Sequence, residues 1–475
     1  MSKHEYTLPE VILSLAKWQL VDDCYGGQDE IDKRGETYLP NPAPSKDDAK
    51  EREARYNDYR RRAVYYNVVR RTAKGMAGLI FAKYPALELP AQLQELEVDV
   101  DGGGVSFVQQ ARRVVLSVLK KGRCGLLADF PVTDGTLTRE QTRGSNLRPI
   151  ITVYNPESII NWRVERIGNS RKLTLLVLKE QYSTGDDGFK HSYSDQYMVF
   201  RLVNGQATSQ LIRKVEGELF YGDELVIKGA NGTPFNEIPF TFVGSDDNDE
   251  TIDDAPLYDI AKISIAHYRN SADYEESIFI AGQPTLVVSG ITESWNDKVL
   301  SKNPIRLGSR SAVLLPVGGS ADLLQPDANG IQAEAMAMKE QQMVSLGAKI
   351  IEPAEVTKTA TQVSGEQAED TSVLSTIANN TSDAYARVFT WCGLYAGTTQ
   401  ECKVTLNTRF NTNKMTAQER QQLIAEWQAG AISFPEMRAN LYEDEIAKIE
   451  DVEQAQAEIE VYSNDSVMSA LQGGK

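Results

Sequence analysis

The residues from Asp253 to Gly282 are the stretch that most constrains how this chain can fold. Asp254 suits the position before a helix, and Pro256 is tolerated in a first turn because its missing N–H needs no partner there. At the other end Gly282 can close the helix, and Pro284 cannot continue it. The stretch therefore predicts one uninterrupted helix, about 40 Å long at about 1.5 Å per residue.

This helix is predicted to have two different sides. One side is apolar or small at helical spacing: Leu257, Ile260, Ala261, Ser264, Ile265, Tyr268 and Ala272. The other side carries both signs of charge: Asp259, Lys262, Arg269, Asp273 and Glu276. The pattern fits an ordinary surface helix, and it also fits a helix packed among neighbours with its charged edge facing a solvent channel. The stretch alone does not separate these interpretations.

The charge balance argues against a general nucleic-acid-binding protein. The 475 residues contain 50 Lys and Arg and 67 Asp and Glu, a net charge of −17. Affinity for duplex DNA comes mainly from cations that meet phosphates, so an acidic chain is poorly suited to it. Such a protein can still surround DNA without holding it tightly, because walls of like sign repel a polyanion.

Cysteine usage and hydropathy predict a protein that is made in the cytoplasm and has no membrane span. The four cysteines are scattered and form no CxxC pair, which favours a reducing compartment: Cys24, Cys124, Cys392 and Cys402. The first residues, MSKHEYTLPE, lack the basic and apolar runs of a signal peptide. No uninterrupted apolar run approaches the roughly 18 residues that indicate a spanning helix.

The chain before the long helix predicts helices followed by a sheet. Helical patterns cover residues 8–24, 47–81 and 105–121, a loop is predicted at 26–44, a strand at 124–130, and antiparallel strands at 149–242. Segment 47–81 is the most basic part and interleaves tyrosines with arginines. This composition fits nucleic-acid contact, but a helical core stripe whose arginines pair with acidic neighbours explains it better.

The chain after Gly282 predicts a compact insertion between long helices. Strands and a short helix are predicted within about 40 residues, before a second helix at 329–349 that is rich in strong helix formers. Periodicity fails at 352–367, which predicts a flexible loop of the kind that often carries function. A third long helix at 369–397, a strand at 402–410, a helix that Gly430 closes and one acidic helical segment at 435–463 that Ser433 caps complete the chain.

Candidate catalytic groups are few. Carboxylates that could hold a catalytic metal are Asp99, Asp101, Asp129 and those of residues 246–254, but the spacing of a calcium loop is missing. The three histidines, His4, His191 and His267, lie in unrelated contexts, and no GxxxxGK[ST] phosphate-binding loop is present. We therefore predict no enzyme, no cofactor and no metal, with a metal-dependent nuclease as the alternative.

Several segments together resemble one known family, the portal proteins of tailed bacteriophages, in the group formerly catalogued as a domain of unknown function. The resembling segments are YNDYRRRAVYYNVVRRTAKGMAGLIFAKYPALELP (56–90), KKGRCGLLADFP (120–131), ITVYNPESIINWR (151–163), APLYDIAKISIAHYRNSADYEESIFIAGQPTLVVSG (255–290) and MTAQERQQLIAEWQAGAIS (415–433). None is a catalytic signature, so the resemblance implies an architecture rather than a chemistry.

The resemblance implies an α+β subunit of portal type, with named parts. They would be a mixed wing at 1–253 that is completed by a helix and strand at 367–410, stem helices at 254–282 and 328–351, a small α/β clip at 283–327, a tunnel loop at 352–366 and a helical crown at 411–475. It also implies a homo-oligomeric ring, dodecameric in such proteins, at one capsid vertex of a virion.

The ring would conduct double-stranded DNA during packaging and ejection, and it would contact the terminase, head–tail adaptor or neck proteins and the major capsid protein. On the resemblance, the tunnel loop would meet DNA through Lys358, with polar contacts from Thr357, Thr359, Thr361 and Gln362. Weaker stem candidates are Lys262 and Arg269, and the clip would present Lys302, Arg306 and Arg310 to the adaptor or terminase. Another head–tail connector or virion structural protein is the alternative.

Overall fold

The computed structural model shows a mixed helix and sheet protein, which confirms the α+β fold class. It describes residues 3–44, 46–130, 147–186, 188–215, 218–282, 285–295, 315–324, 330–347, 360–408, 417–443 and 451–459, with a few isolated residues between them. The chain divides into two units, Met1–Thr408 and Arg409–Lys475. No helix among the described residues is long and apolar enough to cross a membrane.

Six helices lie within the first 121 residues: α1 (Pro9–Gly26), α2 (Gln28–Arg34), α3 (Ala49–Arg62), α4 (Val68–Ile80), α5 (Glu95–Val98) and α6 (Phe107–Lys121). Helix α2 corrects the sequence prediction, which placed residues 26–44 in a loop. Its sequence, QDEIDKR, is almost entirely polar, and Ile31 is its buried residue. One apolar residue in seven gives no periodicity from which a helix can be predicted.

Thirteen strands lie in four antiparallel sheets of the described chain. The strands are β1 (Ala86–Glu88), β2 (Arg123–Asp129), β3 (Ile150–Tyr154), β4 (Ile159–Ile167), β5 (Ser170–Asp186), β6 (His191–Val203), β7 (Gln206–Val215), β8 (Glu218–Tyr221), β9 (Leu225–Val226), β10 (Phe240–Gly244), β11 (Thr285–Ser289), β12 (Ser320–Leu324) and β13 (Lys403–Thr405). Strands β4 to β8 form one sheet in chain order, with β9 paired to β7. The predicted antiparallel region is therefore confirmed.

The three-stranded sheet, ordered β10-β2-β3, packs against two helices. One is α6, and the other is α9 (Ala360–Ala396), which comes from far later in the chain. Between them Phe107 is buried with its ring centroid 5.0 Å from that of Tyr385 and 5.8 Å from that of Phe389. The Tyr385 hydroxyl donates to Gln110, which in turn donates to the carbonyl of Ile151, so this polar chain joins helix, helix and sheet.

Both ends of α6 are fixed by local chemistry. Ser106 and Gln109 exchange hydrogen bonds with each other's backbone in a capping box, and Gly122 ends the helix in the left-handed region at a φ of 77°. Gly122 also lies against the acidic loop of residues 245–254, because its carbonyl accepts a hydrogen bond from the N–H of Ser245. A Cβ at Gly122 would lie 2.3 Å from the carbonyl oxygen of Asp253, so only glycine fits this close approach.

Two long helices flank a small lobe, defined here as residues 285–324. They are α7 (Tyr258–Ala281) and α8 (Ile331–Ser345), and together they are called the helix pair below. The described part of the lobe contains the antiparallel strand pair β11 and β12 and a short helical turn at Glu293–Trp295. Strand β12 was not predicted. Two strands were predicted within 303–319; residues 303–314 lie outside the described residues, and residues 315–319 are not in a strand.

The start of α7 corrects the sequence prediction. Leu257 occupies the capping position, without a side-chain cap, and the chain before it forms a turn closed by the hydrogen bond from Tyr258 N–H to Ala255 carbonyl. Asp254 lies 3.7 Å from Lys17 in an exposed ion pair instead of capping the helix. The predicted end is correct, because Gly282 N–H bonds back to the carbonyl of Ile278.

Helix α9 also begins earlier than predicted. Its first residue is Ala360, so residues 360–366, which were predicted to be in a loop, have helical backbone. Strand β13 follows this helix and pairs with β1, which closes the first unit with residues from both ends of its chain.

The second unit contains α10 (Ala417–Gln428) and α11 (Phe434–Glu443), and residues 452–459 are also helical. Gly430, with a φ of 73°, separates the first two helices. Ser433 and Glu436 form the capping contacts that start α11, as the sequence predicts for Ser433. The helix ends at Glu443, whereas the sequence predicts one longer acidic helix.

Candidate functional site

The helix pair is the candidate functional site, and its two helices run antiparallel. The hydroxyl of Ser264 lies 3.2 Å from the sulfur of Met343, and Nε2 of His267 lies 3.3 Å from Oε1 of Glu340. Residue numbers therefore fall along α8 as they rise along α7. Met343 is the fully buried residue of α8, whose other side chains are partly or largely exposed. Helix α8 is thus anchored on α7 mainly through Met343.

The predicted apolar side of α7 is confirmed. All seven of its residues are buried: Leu257, Ile260, Ala261, Ser264, Ile265, Tyr268 and Ala272. Helices α1, α3 and α4 also contact α7. Tyr268 donates to the carboxylate of Asp32, and the N–H of Val64 donates to the hydroxyl of Ser271. The N-terminal helices therefore hold the buried side of α7 in place.

The charged side of α7 is largely occupied by contacts within the subunit. Arg269 donates to the carbonyl of Tyr38 over 2.7 Å, and Asp273 accepts from the Tyr59 hydroxyl over 2.6 Å. Glu276 forms an ion pair with Arg62 of α3. We conclude that this side packs on the N-terminal helices over much of its length, instead of forming a continuous free edge.

The same contacts explain the arginine triplet of the basic segment, Arg60 to Arg62. Arg62 pairs with Glu276, Arg61 lies 3.7 Å from Asp58, and Arg60 donates to the carbonyl of Asp32. The structural interpretation of the arginine triplet, pairing with polar neighbours in the fold, therefore explains these residues.

The end of the helix pair next to the lobe exposes large apolar side chains. On α7 these are Ile278, Phe279 and Ile280, which are 47%, 44% and 49% exposed, and on α8 Ile331 is 68% exposed. Arg62 lies over the Phe279 ring at 4.2 Å, and the two isoleucines flank that contact. A contiguous exposed apolar group of this kind is typical of a surface that a partner covers.

His267 links the stability of the helix pair to pH. Burial, the largest influence, lowers the pKa of His267 below its ordinary value, and the contact with Glu340 only partly opposes this. Nδ1 is buried without a hydrogen-bond partner among the described residues. The unfolded chain then binds a proton at His267 at higher pH than the folded one, so the contribution of the neutral His267 to folding stability is complete above about pH 6.5 and is lost as the pH falls from there toward the lower pKa of the folded state.

We expect hydrogen exchange of residues 258–281 to accelerate more between pH 7.5 and pH 5.5 in the natural protein than in a His267→Gln variant, after correction for intrinsic exchange rates. His191→Gln is the matched control, because His191 is exposed at the start of β6 and its loss should leave the pH response unchanged. An identical pH response in the natural protein and the His267→Gln variant would contradict the role of His267.

The predicted DNA-contact residues are described only in part. Lys262 is exposed on α7, with its ammonium 5.4 Å from the centre of the Tyr258 ring, and Arg269 is held by Tyr38. Thr357, Lys358 and Thr359 lie outside the described residues, as do Lys302, Arg306 and Arg310. Thr361 and Gln362 lie on the first turn of α9, and their side chains are outside the described part.

The carboxylates considered for a nuclease are engaged by backbone groups in the described chain. Asp99 accepts from the N–H groups of Gly102 and Gly104, and Asp101 accepts from Gly103. In the acidic loop, Asp253 accepts from the N–H of Asp246, and Asp249 accepts from Thr251. Among the described residues no group of three or more His, Cys, Asp or Glu side chains is arranged to hold a metal ion.

Sequence reasoning missed the residues that join the helix pair, namely His267, Glu340 and Met343. A weak signal existed for His267, because it lies one residue before Tyr268 and borders the predicted apolar side. No comparable signal marked Met343, since α8 contains methionine at several positions and shows no clear apolar stripe.

Three comparisons place the chain beside known proteins. The model of a family described as a domain of unknown function, DUF4055, matches residues 256–396, which span the helix pair, the lobe and α9. No curated protein sequence matches the chain significantly.

Solved structures similar to the chain come from gene transfer agent particles. The virion of a native gene transfer agent particle matches with 16% identity and a TM-score of 0.43, covering 79% of this chain and 89% of that chain. The neck of an empty particle, computed with C6 symmetry, matches with 14% identity and a TM-score of 0.44, covering 79% and 90%. The neck of a native particle, computed with C12 symmetry, matches with 15% identity and a TM-score of 0.43, covering 79% and 89%.

Proposed function

We propose that this protein is a portal-type subunit that assembles into a ring and conducts double-stranded DNA into and out of a phage-like capsid. The observation that carries the proposal is the helix pair: two antiparallel helices flank a small lobe, and their lobe-side end exposes Ile278, Phe279 and Ile280. The stem–clip–stem order of the family that the sequence resembles has this topology.

The proposal explains why α8 is poorly covered in one subunit. A helix with one buried residue gains little from packing, and helices in water depend mainly on packing of an apolar face. A neighbouring copy placed beside the pair would cover the exposed apolar side chains of α7 and α8. In a closed ring every subunit receives that contact, because head-to-tail interfaces repeat around the axis.

We also propose that the ring contacts DNA in its channel and binds the terminase, the head–tail adaptor and the major capsid protein. Lys358 with Thr357, Thr359, Thr361 and Gln362 is proposed to meet DNA, and Lys302, Arg306 and Arg310 are proposed to face the motor or adaptor. Between the two stem candidates we favour Lys262, because Arg269 already donates to Tyr38. The subunit itself is proposed to be non-enzymatic, since the candidate acids of residues 99–101 and 246–254 cap local backbone groups.

Electron microscopy of the purified full-length protein tests this proposal. We expect top views of closed rings with a central channel and a single dominant subunit number. Monomers or dimers under all conditions, including inside procapsids, would overturn the proposal. Filaments without closure would support head-to-tail contact but would overturn a ring.

A further inference from the structure

An exposed cationic face lies on two helices outside the helix pair. Helix α4 carries Arg70, Arg71 and Lys74, and α6 carries Arg112, Arg113, Lys120 and Lys121. Neither helix contains an Asp or a Glu, although the chain as a whole has a net charge of −17. The acidic balance of the protein is therefore reversed locally.

The two helices bring Arg70 of α4 close to Lys120 of α6, whereas Lys121 is buried. The helices contact each other, and the ring of Tyr25 lies under both Arg70, at 5.6 Å, and Lys120, at 4.8 Å. The first turn of α4 is therefore next to the last turn of α6. Lys74 continues the exposed side of α4, and Arg112 and Arg113 lie about two turns before Lys120 on α6.

Three of these cations are available to a ligand. Lys74, Arg112 and Arg113 are exposed and have no ion-pair or hydrogen-bond partner among the described residues. By contrast, Lys120 and Lys121 are paired with Asp22, and Arg70 donates to the carbonyl of Tyr25. The cationic face thus combines three side chains without a partner among the described residues with neighbouring cations that already have one.

The surroundings of the cations indicate the kind of partner. No residue of α4 or α6 is among the exposed large apolar side chains of the described chain, whereas protein interfaces have an apolar or aromatic centre. An exposed aromatic, on which a single-stranded base could stack, is likewise missing from these two helices. A Cβ at Gly78 would meet nothing within 4 Å, so the surface of α4 is open there.

We propose that this cationic face, centred on Lys74, Arg112 and Arg113, binds the phosphate backbone of duplex DNA without reading its sequence. Charges farther away than about 10 Å are screened at 0.1 M salt, so the acidic remainder of the chain does not cancel a local patch. The face uses none of the residues proposed to contact DNA in the channel, so it is a second and separate DNA contact.

The test is fluorescence anisotropy of the full-length protein with a short random-sequence duplex, measured between about 50 and 200 mM salt. We expect the variant Lys74→Gln/Arg112→Gln/Arg113→Gln to bind on the order of 100-fold more weakly at 0.1 M salt, and its logarithmic salt slope to be shallower by about 2.7. The control Arg166→Gln/Lys214→Gln/Lys228→Gln removes the same charge from exposed positions of the sheet region and should bind like the natural protein.

Equal duplex binding by the triple variant and the control would overturn the proposal, as would the absence of binding by the natural protein at the lowest salt. Poly-L-glutamate that competes as well as duplex at equal charge would overturn it in favour of an acidic protein partner. Particle images of the triple variant separate this outcome from the proposed function, because the substitutions lie outside the helix pair and rings should still form.

Discussion

Replacing Gly122 by alanine is expected to destabilise the first unit by about 3 kcal/mol. A non-glycine residue in the left-handed region costs about 1–2 kcal/mol by itself. Here the added Cβ would also lie 2.3 Å from the carbonyl oxygen of Asp253 and 2.9 Å from that of Asp254. Both contacts are with backbone, so the variant must shift α6 or the loop that leads to α7. Urea denaturation followed by circular dichroism measures the loss.

Gly104→Ala is the matched control for that measurement. Gly104 has a φ of 84°, in the same region as Gly122, but a Cβ there would meet nothing within 4 Å. We therefore expect about 1–2 kcal/mol for this change, from the backbone conformation alone. Equal denaturation midpoints for the two variants would show that the contact between Gly122 and the acidic loop has no energetic importance.

Ile278→Asp combined with Ile280→Asp is expected to abolish ring assembly while the subunit stays folded. In the isolated subunit both side chains are about half exposed, at 47% and 49%, so the carboxylates remain in water and folding changes little. In a ring a neighbour would cover them, and burying an unpaired charge costs several kcal/mol at each interface. Mass photometry and negative-stain imaging measure the fraction in rings.

The control for assembly is Ile167→Asp with Val203→Asp. These side chains are similarly exposed, at 46% and 41%, but lie at hairpin ends of the large antiparallel sheet. They should leave assembly unchanged. Normal ring yield from the Ile278/Ile280 variant would remove this end of the helix pair from the subunit interface, even if rings are confirmed.

Local patterns predicted the helices with clear apolar sides and failed where contacts are distant. The buried side of α7 follows from spacing within one helix, and all its predicted residues are buried. The hydrogen bond from Arg269 to the carbonyl of Tyr38 could not be predicted in this way, because Tyr38 is 231 positions earlier. Asp254 was placed at the helix start on its residue type, yet a turn at residues 255–258 begins the helix later.

The lobe and α2 show a second reason why sequence patterns failed to predict an element. Strand β12 has the sequence SADLL, and its pairing with β11 joins Ser289 to Ser320 across a long segment. A short strand with little alternation is recognised mainly through its partner. Helix α2 is stabilised by contacts such as the Arg34–Asp23 ion pair, at 2.7 Å, instead of an apolar stripe.

Because the two helices of the helix pair are antiparallel, the chain leaves the rest of the first unit, here called the body, through α7 and returns to it through α8. The contacts that hold the body together do not depend on the lobe. Helix α9 and strand β13 follow the lobe in the chain. Helix α9 packs against the sheet that contains β2, and β13 pairs with β1, although β2 and β1 both precede the lobe. Changes of sequence or length between residues 282 and 330 therefore need not alter the packing of the body, since the chain re-enters through α8 beside the place where it left. The part at the far end of the pair can diverge to suit a different partner while the supporting fold is kept.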